Sequence, residues 1–276
     1  MSTDNAENFT GSHFWGGEDT SGLTPLHCAA YAGHLELCKV LLRKRVALNA
    51  RTNLNRTPLV LAGQKNHNEI AALFIKKGAD ITVDDLEAAN VELCELLLST
   101  LKKRYNDIPI VERGVREEAK SIAGLLNEAD HNDRTLLHRE AEQGNFEKCA
   151  CLLDYFAPLT AVDRDGRTAL HLACQAGENG DNLRLQKFLR TIEVLLADDD
   201  VDSLFVNTQD KDGNTALHFA CRGGNAARVA VSTLLANNAN PDLSSYGLFA
   251  GTTPRNIAKS MNYEELTKLF NEYPKK

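Results

Sequence analysis

Apolar residues along the chain gather in short blocks with helical spacing, separated by small polar turns. One block, His34-Leu35-Glu36-Leu37-Cys38-Lys39-Val40-Leu41-Leu42, is echoed by Asn90-Val91-Glu92-Leu93-Cys94-Glu95-Leu96-Leu97-Leu98. Others close on the same Leu pair: Leu152-Leu153, Leu195-Leu196 and Leu234-Leu235. A shorter Ala-rich block comes first and ends at a glycine, as in Ala29-Ala30-x-x-Gly33, Ala141-x-x-Gly144 and Ala173-x-x-x-Gly177. Such a glycine suits the left-handed residue after a helix C-terminus. Turns such as Asp163-Arg164-Asp165-Gly166 and Asp210-Lys211-Asp212-Gly213 join one pair of blocks to the next. The predicted unit is therefore turn, helix, glycine, helix. Neither helix can bury its apolar stripe alone, so neighbouring units must stack.

The units begin with a repeated core. Thr24-Pro25-Leu26-His27, Thr135-Leu136-Leu137-His138, Thr168-Ala169-Leu170-His171 and Thr215-Ala216-Leu217-His218 carry it in full. Thr57-Pro58-Leu59 and Thr253-Pro254-Arg255-Asn256-Ile257 keep part of it. Thr24 to Thr57 and Thr135 to Thr168 are both 33 residues, whereas Thr168 to Thr215 is 47 and Thr215 to Thr253 is 38. A 33-residue period with this core resembles the ankyrin repeat. The resemblance runs from about Asp19 to Tyr273. It implies an all-α solenoid of paired antiparallel helices joined by β-hairpin-like turns. It also implies structural roles for His27, His138, His171 and His218, which hydrogen-bond within and between units.

On this reading residues 1–18 are a polar tail, 19–273 hold seven to eight repeats, and 274–276 form a C-terminal tail. Residues 84–130 carry degenerate repeats. Ala71 to Cys94 spans 23 residues rather than 33, so the third unit is expected to have lost most of its first helix. A fourth unit is expected to start at Ile108-Pro109-Ile110 and close at Leu125-Leu126. Residues 178–207 hold an insertion in which Leu185, Phe188, Leu189 and Ile192 keep helical spacing, so a second helix prolonged at its start is expected, capped by Asp181 or Asn182. Asp198-Asp199-Asp200-Val201-Asp202 reads as a solvated loop rather than a calcium site, because its spacing is not that of an EF-hand. Lys102-Lys103-Arg104 reads as a solvated helix end rather than a docking point. Trp15, in Phe14-Trp15-Gly16-Gly17, is expected to cover the apolar end of the first unit, with a short ligand motif as the alternative. Tyr263–Phe270 should cap the other end.

Composition adds little to the fold and more to the excluded classes. A hydrophobic fraction of 43% and a charged fraction of 25% are ordinary for globular chains. Only 6% aromatic residues fits Leu- and Ala-built helices better than a β-sandwich. The net charge of −7 argues against nucleic-acid binding by the whole surface. Residues Met1–Thr20 lack the basic start and apolar core of a secretory signal, and no run of 18 apolar residues exists. The seven cysteines, 28, 38, 94, 149, 151, 174 and 221, sit in Ala- and Leu-rich segments. They read as reduced core thiols of an intracellular protein. The expected location is the cytoplasm, with the nucleus as an alternative.

The search for chemistry ends at the repeat. His171 with Cys174, and His218 with Cys221, have a possible metal spacing. Both cysteines fall where the repeat carries a small core residue, so core packing is the better reading. No GxGxxG, GxxxxGK[ST], HExxH or GxSxG motif occurs. The chain is expected to be non-catalytic, with no metal and no cofactor.

Surface positions that the fold does not dictate remain for ligand binding. In phase with the repeat Thr these are Asn53, Leu54, Arg56, Gln64 and Lys65 in the second unit and His131, Asn132, Arg134, Glu142 and Gln143 in the fifth. Arg164, Arg167 and Gln175 follow in the sixth, Lys211, Asn214 and Arg222 in the seventh, and Tyr31 in the first. Seven of them are Lys or Arg and one is Glu, which predicts a basic stripe on the concave face. The expected function is a monomeric interaction scaffold or adaptor that binds a partner protein with an acidic or phosphorylated segment, with no membrane and no nucleic acid. The resemblance leaves other roles open: an I-kappa-B-like inhibitor of a transcription factor, or a bacterial effector acting on a host protein. The phosphodegron pattern of the former is absent, and Thr20-Ser21-Gly22 only echoes it. The resemblance also offers Asn49 and Asn207 as hydroxylation sites.

Overall fold

A computed structural model describes residues 22–106, 122–177, 182–198, 201–246 and 251–273. The expected roles of Trp15, Asp181 and Ile108-Pro109-Ile110 lie outside the described residues. The chain divides into two compact units between Ile108 and Pro109. Among the described residues every regular element is a helix.

The first unit holds α1 (Pro25–Tyr31), α2 (Leu35–Arg43), α3 (Pro58–Gln64), α4 (Asn68–Lys76), α5 (Val83–Ala88) and α6 (Val91–Asn106). Each odd helix packs on the even helix after it, and the odd and even helices form two rows, α1–α3–α5 and α2–α4–α6. The second unit holds α7 (Ile122–Leu126), α8 (Leu136–Gln143), α9 (Phe146–Asp154), α10 (Ala169–Ala176), α11 (Asn182–Leu196) and α12 (Ser203–Val206). It continues with α13 (Ala216–Arg222), a 3-10 turn over Gly224–Ala227, α14 (Arg228–Ala236), α15 (Pro254–Ser260) and α16 (Glu264–Glu272). Its rows are α8–α10–α13–α15 and α9–α11–α14–α16.

The Thr of each core begins a first helix because its extended backbone and side-chain oxygen suit an N-cap. Thr24, Thr135, Thr168 and Thr215 each form a capping box with the His three residues on. The other ring nitrogen of that His reaches a carbonyl of the next turn: His27 to Arg56, His138 to Arg167, His171 to Asn214 and His218 to Thr252. Each His thus ties its repeat to the next. Cys38, Cys94, Cys149, Cys151, Cys174 and Cys221 are buried, and Cys28 is partly so; all seven are free thiols.

Gly33, at φ +76°, lies under the ring of His67, where a Cβ would come within 2.7 Å of the ring. Gly144 is left-handed as expected, but Gly177 is not: its φ is −75°. α11 has 15 residues where α2, α4, α9, α14 and α16 have 9, and Phe188 and Ile192 are buried by it.

The third repeat departs from expectation. Its first helix is present as α5, started by Thr82 and Asp85, which replaces the His of the capping box. The missing residues come from the turn: residues 44–56 separate α2 from Thr57, but only 77–81 separate α4 from Thr82. The loss is matched one repeat earlier. Val60 stands where His27 stands, and no full turn follows for a His there to reach. Asp85 reaches backward instead, and its Oδ1 accepts from Thr57 Oγ1 at 3.3 Å.

Two basic side chains close helix ends. Arg104 donates to the carbonyls of Ala79 at 2.9 Å and Ile75 at 2.8 Å, at the end of α4. It is therefore a structural cap, not a solvated end; Lys102 and Lys103 are exposed. Arg255 does the same for α16 through Phe270 and Tyr273. Asp202 is exposed, as a solvated loop residue should be, and its side chain also caps α12 by accepting the Phe205 amide at 2.7 Å. Asp199 and Asp200 lie outside the described residues.

Candidate binding surface at the turn tips

The turns of the second unit share one hydrogen-bond plan. Asp163 Oδ1 accepts the amides of Asp165 and Arg167, both at 2.9 Å. Asp130 and Asp210 do the same for Asn132 and Arg134, and for Asp212 and Asn214. In each turn the amide of the Asp donates back to the carbonyl of Arg134, Arg167 or Asn214. This is an Asx turn, with the aspartate side chain imitating backbone. In the first unit Thr52 replaces the Asp and accepts the Arg56 amide. One bond also joins each tip to the one before it: Arg164 N–H to Asn132 O, Lys211 N–H to Asp165 O, and Tyr246 N–H to Asp212 O, all 2.8 Å. The turns are hairpin-like in this sense.

Beside each turn a side-chain rung joins the residue before the repeat Thr to the residue eight positions later. Arg134 donates to Glu142 at 2.8 Å, Arg167 to Gln175 at 3.2 Å, and Arg222 back to Asn214 at 3.0 Å. The last rung runs in the opposite chemical sense, with the cation on the helix.

These bonds change the expected basic stripe. The carboxylate of Asp163, with 1% of its side chain exposed, pairs with Arg167 at 2.9 Å and Arg134 at 3.4 Å. Arg167 also meets Asp165 at 2.6 Å. Burial alone would raise the Asp163 pKa, but the Arg167 amide and guanidinium outweigh it and hold the group below the usual carboxylate range. Arg134 and Arg167 are thus neutralised inside the protein. Asn214 is buried and also donates to Asp210, so it holds the turn instead of facing solvent. Arg222 stacks over Phe219 at 5.1 Å.

The remaining site residues divide as follows. Asn53, Leu54, Gln64, Lys65, Glu142, Gln143, Gln175, His131, Arg164 and Lys211 are exposed; Tyr31, Arg56 and Asn132 are half-buried. Lys65 lies over the Tyr31 ring at 4.4 Å, a cation–π contact. Arg164 approaches Asp133 at 3.7 Å, but both side chains are more than 60% exposed, so that pair is weak. A cleft of about 380 Å³ opens beside the last two of these tips, lined among others by Asp165, Arg167, Asp212, Lys211, Phe219 and Arg222. It holds carboxylates and cations in balance.

Sequence reasoning missed the rungs, although their signal is present: a polar residue before each Thr and another eight positions on. Asn49 and Asn207 are clasps between repeats. Asn49 bonds Asp80 at 2.7 and 3.1 Å, and Asn207 bonds Asn238 and Asn240. The His–Cys pairs do not converge on a metal: His171 and His218 use both ring nitrogens in hydrogen bonds. Burial lowers the pKa of these rings and raises that of Cys221, as it raises Cys38 to about 11 and Cys149 to about 12. No described helix is long and apolar enough to cross a membrane.

Comparison with known proteins gives one consistent result. The family model of ankyrin repeats (3 copies) matches residues 7–85 and 88–189, and that of ankyrin repeats (many copies) matches 189–235. Inversin of Canis lupus familiaris is 28% identical over 156 residues, 56% of this chain and 14% of its own length. A putative ankyrin repeat protein of Rickettsia bellii is 30% identical over 152 residues, 55% of this chain and 19% of its own. The matched part is thus less than a fifth of each of these relatives. An ankyrin repeat domain of Acinetobacter baumannii aligns with a TM-score of 0.52 at 24% identity, covering 91% of this chain and 98% of its own. That likeness concerns the fold.

Proposed function

Because the chain belongs to the ankyrin-repeat family, whose repeats generally mediate protein–protein interaction, we propose that it is a non-catalytic scaffold or adaptor holding a partner protein along its turn tips and the adjoining first helices. The observation that carries this is the series of rungs at Arg134–Glu142, Arg167–Gln175 and Asn214–Arg222. They fix polar side chains in one orientation on successive repeats, so little side-chain freedom remains to be lost when a partner binds. Arg164 and Lys211 stand exposed on consecutive tips linked through Asp165. They would meet an acidic or phosphorylated side chain of the partner, while the balanced cleft takes neighbouring polar groups. Affinity capture with mass spectrometry, comparing the parent chain with Arg164→Glu/Lys211→Glu, tests the reading. The double variant should recover less partner and show a flatter salt dependence. Equal recovery with equal salt dependence would remove the tips from the interface.

A further inference from the structure

Two of the most exposed large apolar side chains among the described residues are Phe156, at 82%, and Leu204, at 78%. They stand on adjacent repeats, whose second helices α9 and α11 pack together. Phe156 lies four residues before Thr160, and Leu204 three before Asn207; Thr160 and Asn207 each stand eight residues before a repeat Thr. Counted back from the repeat Thr the two therefore occupy near-equivalent positions, Phe156 just past the end of α9 and Leu204 on α12. Leu204 is brought there by α12, part of the inserted region, whose other apolar residues Phe205 and Val206 are buried.

Phe156 is costly where it stands. It follows the α9 cap in a Schellman arrangement: its amide donates to Leu153 O, and that of Ala157 to Leu152 O. Its φ is +63°, a left-handed conformation that suits Gly or Asn and strains a bulky residue. The same place in other repeats is held by Gly78, Asn238 and, in the first, Arg45, whose long polar side chain reaches water where the Phe156 ring cannot gain from it. Phe156 thus carries backbone strain and gains almost no burial in return.

The chain flanking each residue carries one sign of charge. No Lys or Arg occurs from Cys149 to Asp163 or from Thr191 to Asp210. Asp154 lies in the last turn of α9, Asp198 just past the end of α11, and Asp202 is the exposed cap of α12. The carbonyl end of α9 adds partial negative charge beside Phe156.

We infer that Phe156 and Leu204 form a second docking point, for a partner segment that presents an apolar side chain flanked by Lys or Arg. The apolar pair supplies the anchor and the acidic rim selects the flanks. An anionic bilayer is repelled by that rim. The docking point differs from the turn tips in both place and charge, so it stands independently of the function proposed above.

Fluorescence polarisation tests it with a short labelled peptide in which Lys flanks a central Leu-Phe pair, against two controls: Glu in place of Lys, and Ser in place of Leu and Phe. The full chain should bind the first peptide, more weakly as salt rises, and both controls poorly. Phe156→Gly and Leu204→Ser should each weaken binding by about tenfold or more. Phe156→Gly should melt at or above the parent temperature, since glycine relieves the strain, so its loss of binding cannot come from unfolding. The inference fails if Phe156→Gly binds like the parent or if either control peptide binds as well. It also fails if sedimentation shows the parent to be a dimer that Phe156→Gly dissociates, because the patch would then be a self-interface.

Discussion

His171 Nε2 lies 3.2 Å from the carbonyl oxygen of Asn214 in the following repeat, while Nδ1 of the same ring accepts the Thr168 amide at 3.1 Å. That pattern places the proton on Nε2 and requires a neutral ring. Burial pushes the His171 pKa down to about 4, and His27, His138 and His218 move the same way for the same reason. In the unfolded chain these rings titrate near 6.5. Between about 4 and 6.5 the unfolded state binds more protons, so stability is full above 6.5 and is lost as pH falls through this window. His171 alone should cost about 2 kcal/mol between pH 7 and pH 5, at about 1.4 kcal/mol per tenfold change. Urea unfolding followed by circular dichroism at the two pH values checks this, and an unchanged midpoint would refute it. Asp130 and Asp163, whose pKa values are held low, yield their share only in the acid carboxylate range, below this window.

Asp85 plays the histidine's part with different wiring. Its side chain is 1% exposed. Oδ2 accepts from the Thr82 amide at 2.8 Å and from the Thr82 hydroxyl at 2.7 Å, and Oδ1 accepts from Thr57. Burial nevertheless raises its pKa. Asp85→Ala should lose the capping box and leave the Thr57 hydroxyl without this acceptor, at about 2–3 kcal/mol. Asp85→Asn keeps most acceptor geometry and should cost less. Urea midpoints of the two variants decide the matter; equal midpoints would show that the hydrogen bonds to Asp85 are not what secures α5.

The legible and illegible parts of the chain differ for a physical reason. The helix pairs could be read because Thr caps, His boxes and Leu pairs recur wherever stacking demands them. α5 could not, because Asp85 performs the cap with a residue outside the template. A search for Thr followed three positions later by any side-chain acceptor would have found Thr82–Asp85. The surface was harder. Arg134, Arg164 and Arg167 look alike in sequence, yet only Arg164 has a mostly exposed head. Asp163 meets one arginine 29 residues before it and another four residues after it, and counting charges cannot show that. Leu204 was hidden because α12 lies in the insertion, where the repeat template gives no register.

The same distinction predicts two different outcomes of charge reversal. Arg167→Glu sets a new carboxylate against the buried Asp163, with Asp165 also nearby. Breaking a buried pair leaves the remaining charge uncompensated, so a loss of about 3 kcal/mol or more is expected. Arg164→Glu touches only an exposed pair at 3.7 Å and should shift stability by less than about 0.5 kcal/mol. Thermal or urea unfolding of the two single variants checks the contrast. If both are equally benign, Arg167 is a surface charge and the stripe expected from sequence regains it.

Two left-handed glycines, Gly78 after the end of α4 and Gly213 in a turn tip, separate backbone strain from steric fit. Gly78 has φ +89° and a Cβ there would meet nothing within 4 Å, whereas Gly213 has φ +78° and a Cβ there would come within 2.6 Å of the Tyr246 ring. Gly78→Ala should therefore cost only the left-handed strain, about 1 kcal/mol. Gly213→Ala must also displace Tyr246, whose amide donates to Asp212 O at 2.8 Å and continues the ladder between tips. Tyr246 is 60% exposed, so its ring can swing into solvent; the added cost should be about another 1 kcal/mol, not the several expected for a clash in a core. Tyr246→Ala in the Gly213→Ala background makes the test a double-mutant cycle. Recovery of the extra loss locates it in the ring contact; no recovery would place it in the backbone of the turn.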